Sequence, residues 1–427
     1  MKINTRNLPY EEVLKLPRME HRTPRMPSRF LAGVVRIGSA PTLWKTNFHY
    51  TTERMELVGD EPCLILMNHC SFTDMKLAYG IFYPKPMGIV TSVDAMSGFL
   101  GKLMRLLGCT PTHKYVSDLT LIKDMEYMLK TNKTSVLMYP EAGYSFDGRA
   151  TTLPRKLGIL MKKLGVPVVT VITQGAFHRD PLYNMLQIRD VKVSAHVKCL
   201  ATAEELKEKS VAELDALLDE AFSFDNFAWQ RDNRISIDVP FRADGLHRIL
   251  YKCPHCGAEN RMEGKGIHLT CNACGKKWEM DEFGQLHALE GETEYPHIPD
   301  WYAWERECVR KEIEDGTYLL DTDVDIGIQV NLDGICMIGT GHLTHSLNGF
   351  HLTGADGQLD YTQSPVASHT LYADYYWYEI GDVIGIGNNE FSYFCFPPAD
   401  VSVTKARLAT EELYKIQKAS RRRKKAE

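Results

Sequence analysis

The sequence lacks a long apolar run. No stretch of about 18 uncharged apolar residues is present, the length that a helix needs to span a bilayer. The most apolar early stretch, residues 30–44, is interrupted by Arg36 and Pro41, and the mean hydropathy is −0.27. The N-terminus also lacks the basic and then apolar pattern of a secretory signal. We therefore expect a cytoplasmic protein with no transmembrane span, which would meet a membrane only peripherally at its surface.

An excess of basic residues is also missing. Fifty Lys and Arg face 55 Asp and Glu, which gives a net charge of −5. A protein that binds nucleic acid by neutralising its phosphates usually has an excess of basic residues. We therefore expect no nucleic-acid partner. Hydrophobic residues at 44% and charged residues at 25% are typical of a globular protein and argue against extensive disorder. At roughly 150 residues per domain, the 427 residues predict two to four structural units.

The first half of the chain alternates short apolar runs with amphipathic stretches. The runs lack helical spacing, as buried strands do, and lie at 63–67, 87–91, 135–139 and 166–172. The stretches between them have apolar residues three to four positions apart and lie at 97–107, 119–130 and 153–164. Thr202 and Glu205 have the spacing of a capping box, which predicts a helix to about residue 222. The repetition predicts an α/β domain with a mostly parallel sheet and flanking helices.

The second half has a different pattern. A strand-like stretch rich in Gly, Thr and Tyr runs from 317 to about 397 and precedes a helix. In outline it is similar to pleckstrin-homology (PH) or GRAM-like barrels, without a specific motif, and we assign it no function. The predicted division is an N-terminal lead-in 1–28, an α/β domain 29–222, a linker 223–246, a cysteine-bearing unit 247–283, a helical linker 284–316, a mainly-β domain with closing helix 317–418, and a basic tail 419–427.

A histidine and an aspartate follow the first apolar run. On one straight helix, His69 and Asp74 would be separated by about 140° and could not meet. They meet if His69 lies on a strand-to-helix turn and Asp74 in the first turn of the helix, at the sheet edge where open α/β folds bind ligands. His69 would then act as a base that Asp74 orients. From spacing alone the alternative remains that Asp74 caps the helix and His69 fills a loop.

Two further blocks contain candidate binding residues. Glu141, Gly143 and Ser145 follow the run at 135–139, where small residues let backbone N–H groups approach a polar ligand. Arg155 and Lys156 lie near the start of a predicted helix. A basic pair at such a position either binds a phosphate group or is exposed to solvent without a binding role.

Taken in order, these blocks resemble the glycerophospholipid acyltransferase family (1-acyl-sn-glycerol-3-phosphate acyltransferase-like) over about residues 30–222. His69 and Asp74 match its His-x4-Asp signature, and residues 153–171 match its Leu-Pro block and following strand. The resemblance implies acyl transfer from acyl-CoA or acyl carrier protein to the hydroxyl of a lysophospholipid. The leading acceptor is 1-acyl-glycerol-3-phosphate, which would give phosphatidic acid, with His69 as base and a membrane surface as the place of reaction.

One departure concerns phosphate binding. Where the family's Pro-Glu-Gly-Thr-Arg-Ser block has an Arg, this chain has Tyr144, and Lys114 stands near the position of another family Arg. Gly143 is the candidate for stabilising the oxyanion. The residues that we expect to bind substrate are Asn68, Lys114, Glu141, Gly143, Ser145, Arg149, Arg155 and Lys156.

Three alternatives remain open at this point. A covalent acyl-enzyme on Cys70 or Ser71 would use the same fold, with poor geometry toward His69. A thioesterase-like hydrolase would use water as the acceptor. A catalytically inactive binding or scaffold protein would use the cysteine-bearing unit for partner contacts. The stretches 30–44 and 97–107 and the basic tail 421–425 are candidates for contact with lipid, or are ordinary packing helices and a solvated end.

Four of the 11 cysteines form two pairs. Cys253 and Cys256 are followed after fourteen residues by Cys271 and Cys274, and a glycine follows each pair. This spacing resembles a zinc ribbon, in which four thiolates hold a structural zinc ion and leave no open position for catalysis. A metal-free or disulfide-bonded unit is the alternative. The other seven cysteines are scattered, as small buried hydrophobic residues are.

Overall fold

The computed structural model describes residues 2–114, 118–151, 153–154 and 157–426, except the side chains of 422–426. The strands are β1 Thr5–Asn7, β2 His49–Glu53, β3 Leu64–Met67, β4 Met87–Ser92, β5 Cys109–Thr112, β6 Ser135–Met138, β7 Val168–Gln174, β8 Ser194–Ala201, β9 Met262–Lys265, β10 His268–Cys271, β11 Lys277–Met280, β12 Leu286–Ala288, β13 Leu320–Gln329, β14 Ile335–Ser346, β15 Gly349–Gly354, β16 Leu359–Gln363, β17 Tyr372–Trp377, β18 Gly381–Gly387 and β19 Ser392–Phe396. The α-helices are α1 Tyr10–Leu14, α2 Arg29–Lys45, α3 Asp74–Phe82, α4 Gly98–Leu106, α5 Leu119–Glu126, α6 Leu157–Leu164, α7 Ala176–Arg179, α8 Ala203–Glu208, α9 Val211–Ala221, α10 Asn226–Asp232, α11 Ile298–Glu314 and α12 Val403–Ala426.

The first sheet is mixed and has the order β2-β8-β7-β3-β6-β4-β5. The five strands from β7 to β5 run parallel, whereas β8 is antiparallel to β7, and β2 is parallel to β8. The carboxyl ends of β3, β6, β7, β4 and β5 therefore lie along the same edge. The expected mostly parallel sheet with flanking helices is present, with an antiparallel pair at one side.

Both faces of this sheet are covered, because β3 is apolar at every position. Leu64 and Leu66 belong to a cluster that includes Met161 of α6. Ile65 and Met67 belong to the opposite cluster, which includes Leu77 of α3. All four strand side chains are at most 1% exposed. The continuous apolar run follows from this double burial.

The cysteine-bearing unit is a four-stranded antiparallel sheet in the order β12-β11-β10-β9. Its last strand ends at Ala288, so the sheet extends five residues past the expected end at 283. Helix α11 follows and packs on it through Trp301, whose ring lies 5.1 Å from that of Trp278 at an angle of 65°.

The mainly-β domain is one sheet with the order β16-β15-β14-β13-β19-β18-β17, all antiparallel. An eighth strand comes from the other end of the chain, because β1 pairs in parallel with the first residues of β14. The N-terminal segment therefore differs from the irregular lead-in that we expected. Only three residues pair, too few to produce a strand pattern in the sequence.

Two other segments differ from expectation. The helix expected from 203 to 222 is interrupted at Lys209, because Ser210 and Glu213 form a second capping box that starts α9. The segment 223–246, expected as a linker, includes α10 and the fully buried side chains of Phe227 and Leu246. The basic tail continues α12 to Ala426.

Candidate active site

His69 and Asp74 meet at the carboxyl end of β3. His69 lies on the turn after the strand, and Asp74 is the first residue of α3. The imidazole Nδ1 lies 2.9 Å from Asp74 Oδ2, which also accepts the backbone N–H groups of Cys70 and Ser71 at 3.0 and 3.1 Å. A carboxylate can only accept, so Nδ1 holds the proton and Nε2 is left with its lone pair. This is the arrangement of a base and its orienting group.

Asn68 fixes the turn to the neighbouring strand. Its Oδ1 accepts the backbone N–H and the hydroxyl of Thr173 at the end of β7, at 2.8 and 3.0 Å. Its Nδ2 donates to the Thr173 carbonyl and to Cys70 Sγ, both at 3.2 Å. The Asn68 side chain is fully buried and occupied by these contacts. The contacts give it a positioning role, and substrate binding by Asn68 stays a prediction.

Glu141 and Ser145 hold the backbone of His69 from both sides. Glu141 Oε1 accepts the His69 N–H at 3.1 Å, and Oε2 accepts the Thr151 N–H at 2.7 Å. The Ser145 N–H donates to the His69 carbonyl at 3.1 Å, and its hydroxyl donates to the Arg149 carbonyl at 2.5 Å. Glu141 has no exposed surface. Burial raises the pKa of Glu141 to about 7, and the two N–H donors oppose that rise.

Two tyrosines enclose the imidazole. The ring of Tyr139 stacks on His69 at 4.1 Å between centroids, and the ring of Tyr144 stacks on the other face at 3.9 Å. Phe72 stacks in turn on Tyr144 at 5.1 Å. We did not expect these aromatic contacts from the sequence. The signal in the sequence is that both tyrosines lie within three positions of Glu141, a predicted binding residue.

The electrostatics favour neutral His69. The His69 side chain is 17% exposed. Burial lowers its pKa below the ordinary histidine value, the Asp74 carboxylate raises it, and the Lys114 ammonium lowers it further. The net direction is downward, so the imidazole is in its basic form at neutral pH.

Lys114 lies where the α/β domain faces the mainly-β domain. Its Nζ is 3.8 Å from the ring centroid of Tyr372. The Tyr372 hydroxyl donates to Asp94 at 2.9 Å. Burial raises the pKa of Asp374 to about 7, and the Lys114 ammonium opposes the rise. Asp94, Lys114 and Tyr372 border a cavity of about 390 Å³, the interdomain cavity, whose lining also includes Thr112, His113, Gln363, Ser392 and Phe394.

Residues 47–174 match the family model described as Acyltransferase. The matched range contains strands β2 to β7 and the whole His69 loop. This segment is an acyltransferase domain. The chain is accordingly an acyltransferase enzyme, and residues 175–427, with the cysteine pairs and the mainly-β domain, lie outside the matched range.

Other comparisons add little. Among solved structures, the 1-acyl-sn-glycerophosphate (LPA) acyltransferase PlsC from Thermotoga maritima is similar at 17% identity and a TM-score of 0.35. The similarity covers 44% of this chain and 80% of that chain, and at this level it supports no argument. A comparison with curated proteins gives no significant match.

The acyltransferase domain does not present Cys70 or Ser71 as a nucleophile. Both are buried. Burial raises the pKa of the Cys70 thiol well above its usual value, which disfavours the thiolate. The Ser71 hydroxyl donates to Asp180 at 2.5 Å and lies 2.8 Å from the Thr73 hydroxyl. These contacts count against the covalent alternative.

Two of the four remaining predicted substrate residues can be placed. Arg149 pairs with Asp225 and Asp300, both at 2.8 Å. Gly143 is buried and follows Ala142, whose φ of +55° turns the chain back toward His69. Arg155 and Lys156 lie outside the described residues. The binding roles of all four stay predictions.

The outer faces of two helices are apolar. On α2, Phe30, Ile37 and Trp44 are 78, 75 and 82% exposed, and Val34 lies on the same face. On α4, Phe99 is 84% exposed. The Ser28 N–H donates to the Leu106 carbonyl, so α2 begins where α4 ends. No helix in the described part of the chain combines the length and apolar character that crossing a bilayer requires.

Proposed function

We propose that the protein transfers a fatty acyl group from acyl-CoA or acyl carrier protein to the hydroxyl of a lysophospholipid. The observation that carries the proposal is the 2.9 Å contact between His69 Nδ1 and Asp74 Oδ2 inside the acyltransferase domain. The enclosing tyrosines and the backbone contacts of Glu141 and Ser145 support it, because they fix the base before substrate arrives.

The reaction follows from this geometry. His69 Nε2 takes the proton of the acceptor hydroxyl while the hydroxyl oxygen forms a bond to the thioester carbonyl carbon. The tetrahedral intermediate expels the thiolate, which receives the proton back from the imidazolium. Asp74 stabilises that imidazolium, and the Gly143 N–H is the candidate donor for the transient oxyanion. An ester and a free thiol result.

The interdomain cavity is the proposed place for the acceptor headgroup. Lys114 borders the cavity and its ammonium lowers the pKa of His69, which supports a phosphate site that includes Lys114, although His69 is not among the described residues that line the cavity. The Lys114 ammonium opposes the rise in the pKa of Asp374, and Tyr372, the ring that Lys114 contacts, donates to Asp94. We therefore take 1-acyl-glycerol-3-phosphate as the first acceptor to test, with phosphatidic acid as the product.

A membrane surface is the proposed source of the acceptor. The apolar residues of α2 recur at 30, 34, 37, 41 and 44, which is one face of a helix, and Arg29, Arg36 and Lys45 flank them. A helix of this type lies in the interface with its apolar side in the lipid and its basic residues near anionic headgroups. Protein–protein association through the same face is excluded if the isolated protein stays monomeric while it binds vesicles.

The decisive experiment follows labelled acyl groups from acyl-CoA and from acyl carrier protein to 1-acyl-glycerol-3-phosphate. Wild type should make phosphatidic acid and His69→Ala should make none. His196→Ala is the matched control, because this exposed histidine lies on β8 and contacts Thr51 and Glu53. Free fatty acid lost in His69→Ala would instead establish hydrolysis. Absence of both products with a panel of lysophospholipids would refute the proposal.

Lys114→Met tests the headgroup site. We expect the KM for 1-acyl-glycerol-3-phosphate to rise about tenfold or more, since a charge-assisted contact to phosphate contributes about 1.5–3 kcal/mol. The KM for an uncharged monoacylglycerol should stay the same. An equal effect on both acceptors would remove Lys114 from phosphate binding.

Vesicle sedimentation tests the membrane surface. Replacing Phe30, Ile37 and Trp44 together by Ser should weaken binding to vesicles that contain anionic lipid by at least about tenfold. Leu319→Ser, at a site 57% exposed on another part of the chain, is the control. Unchanged binding of the triple variant would contradict the role of α2.

A further inference from the structure

The two cysteine pairs form matching turns. In the first, the Gly257 N–H donates to the Cys253 carbonyl and the Cys253 N–H to the Ala258 carbonyl, both at 2.9 Å. In the second, Gly275 and Cys271 repeat the pattern with Lys276, at 2.8 and 2.9 Å. Gly257 and Gly275 have φ of +74° and +79°, a conformation that glycine adopts at little cost. We call these turns the two cysteine turns.

The four sulfurs have the spacing of a tetrahedral metal site. All lie within 4.8 Å of one another. Cys253 Sγ is 3.9 Å from Cys274 Sγ, and Cys256 Sγ is 3.8 Å from Cys271 Sγ. A zinc ion with four bonds of about 2.3 Å would separate its sulfurs by about 3.8 Å. Direct disulfide bonding would bring a pair to about 2.05 Å, so the observed spacing fits a shared ion between the turns.

Backbone donors surround the sulfurs. The Ala258 N–H donates to Cys256 Sγ and the Lys276 N–H to Cys274 Sγ. Among ions, four thiolates in a tetrahedron select Zn²⁺ or iron. His255 turns its Nδ1 toward Glu294 at 3.4 Å, and the cluster of mutually close sulfurs does not include it.

Residues on either side of the first cysteine turn bind helices α11 and α12. The Lys252 N–H donates to Glu305 of α11 at 2.8 Å, and Trp301 Nε1 donates to the Lys252 carbonyl at 2.9 Å. Glu259 pairs with Lys252 at 3.0 Å and with Lys405 of α12 at 2.7 Å. An ion that fixes this turn therefore fixes the attachment of α11 and α12 to the small sheet.

Helix α12 in turn touches the active-site loop. Arg407 Nη1 donates to the Tyr144 carbonyl at 3.2 Å, and its guanidinium lies 4.2 Å from the ring centroid of Phe146. Tyr144 is the residue whose ring stacks on His69. The contacts form an unbroken series from the cysteine turns to the base.

We propose that Cys253, Cys256, Cys271 and Cys274 bind one zinc ion, and that this ion holds α12 where Arg407 supports the Tyr144 loop. The ion has four protein ligands and takes no part in the chemistry. Its role is to hold the two cysteine turns together in a small sheet whose apolar side chains pack on α11. The metal site is independent of the proposed acyl-transfer reaction. The link from the ion to the Tyr144 loop rests on that reaction only where activity is measured.

Metal analysis of the full chain, purified without chelators, tests the site. We expect about one zinc per chain in wild type and in Cys308→Ser, a cysteine of α11 outside the cluster. Cys256→Ser with Cys274→Ser, the two exposed ligands, should lose it. Replacement of the bound zinc by Co²⁺ in wild type should give the absorption bands of tetrahedral cobalt thiolate. Less than about half an equivalent of zinc in wild type, or full zinc in the double variant, overturns the site.

Amide exchange tests the link to the base. In the double variant, exchange should rise about tenfold or more in α12 and in residues 140–146, while β3 and β7 stay protected. Lys405→Met keeps all four cysteines, so it should retain zinc and still loosen α12 and lower kcat. Unchanged exchange in α12 overturns the link, as does faster exchange throughout the chain, which would make the ion a general folding requirement. Inactive wild type with normal zinc would refute the proposed reaction and leave the metal site standing.

Discussion

Asp74→Asn isolates the charge that supports the base. The three donors around Asp74, from His69 Nδ1 and two backbone N–H groups, all reach Oδ2. An asparagine can place its carbonyl oxygen there and keep all three contacts. Its amide nitrogen then occupies the position of Oδ1, which is buried and has no hydrogen-bond partner. The substitution therefore changes the charge with little change in geometry.

The expected loss follows from the imidazolium that forms during transfer. At a separation of about 4 Å between charge centres, an effective dielectric constant of about 20 gives an attraction of about 4 kcal/mol. The charge-assisted part of one hydrogen bond is about 1.5–3 kcal/mol by mutation. A loss of about 3–4 kcal/mol in the transition state lowers kcat by about 10²–10³-fold. The KM for the lipid acceptor should change little, because Asp74 is 1% exposed and does not reach substrate.

Single-turnover acyl transfer across pH 5–9 measures this directly. The carboxylate raises the pKa of His69 against the effect of burial, so its removal lowers that pKa further. Since the neutral imidazole is the active form, the acid limb of the rate profile should move to lower pH while the plateau falls. Asp180→Asn is the matched control, because Asp180 is also buried in this region but accepts from Ser71 and not from the imidazole.

Two results would refute the reasoning. A plateau reduced by less than about fivefold would mean that Asp74 does not stabilise a charged imidazole. An equal loss in Asp180→Asn would mean that any disturbance of the loop has the same effect.

Three further outcomes are expected around the same loop. Glu141→Gln should lower kcat by about tenfold with KM unchanged, because an amide NH₂ would face one of the two backbone N–H donors; an effect on KM alone would indicate substrate contact instead. The pKa of Glu141 in the folded protein, about 7, lies above its ordinary 4.5, so its contribution to stability is present below pH 4.5 and is lost as pH rises to about 7. Thermal melts should show this fall in wild type and a smaller one in Glu141→Gln, and parallel curves would contradict it. Arg407→Met should keep the side-chain contact with the Phe146 ring but lose the hydrogen bond to the Tyr144 carbonyl, so kcat should fall about threefold to tenfold. An unchanged kcat would mean that α12 does not support the position of His69.

The sequence alone supported those features that depend on neighbours in the chain. The strands β3, β4, β6 and β7 are mostly apolar because both faces of the sheet are covered. Burial on both faces can therefore be recognised from the sequence of a single strand. His69 and Asp74 are five positions apart on a strand-to-helix turn, so their contact depends on local geometry. The two cysteine turns are local for the same reason, each within six residues.

Tertiary structure decided the features that join distant residues. Tyr144 could be placed on His69 only once β6 lay beside β3 in the sheet, and Lys114 meets Tyr372 across two domains. The pairing of β1 with β14 joins the N-terminal segment to the mainly-β domain, and Arg407 reaches Tyr144 from the last helix. None of these contacts produces a periodic pattern or a fixed spacing in the sequence, because each depends on how separate elements pack against one another. A sequence pattern records which face of an element is buried, and the identity of what covers that face is a property of the whole fold.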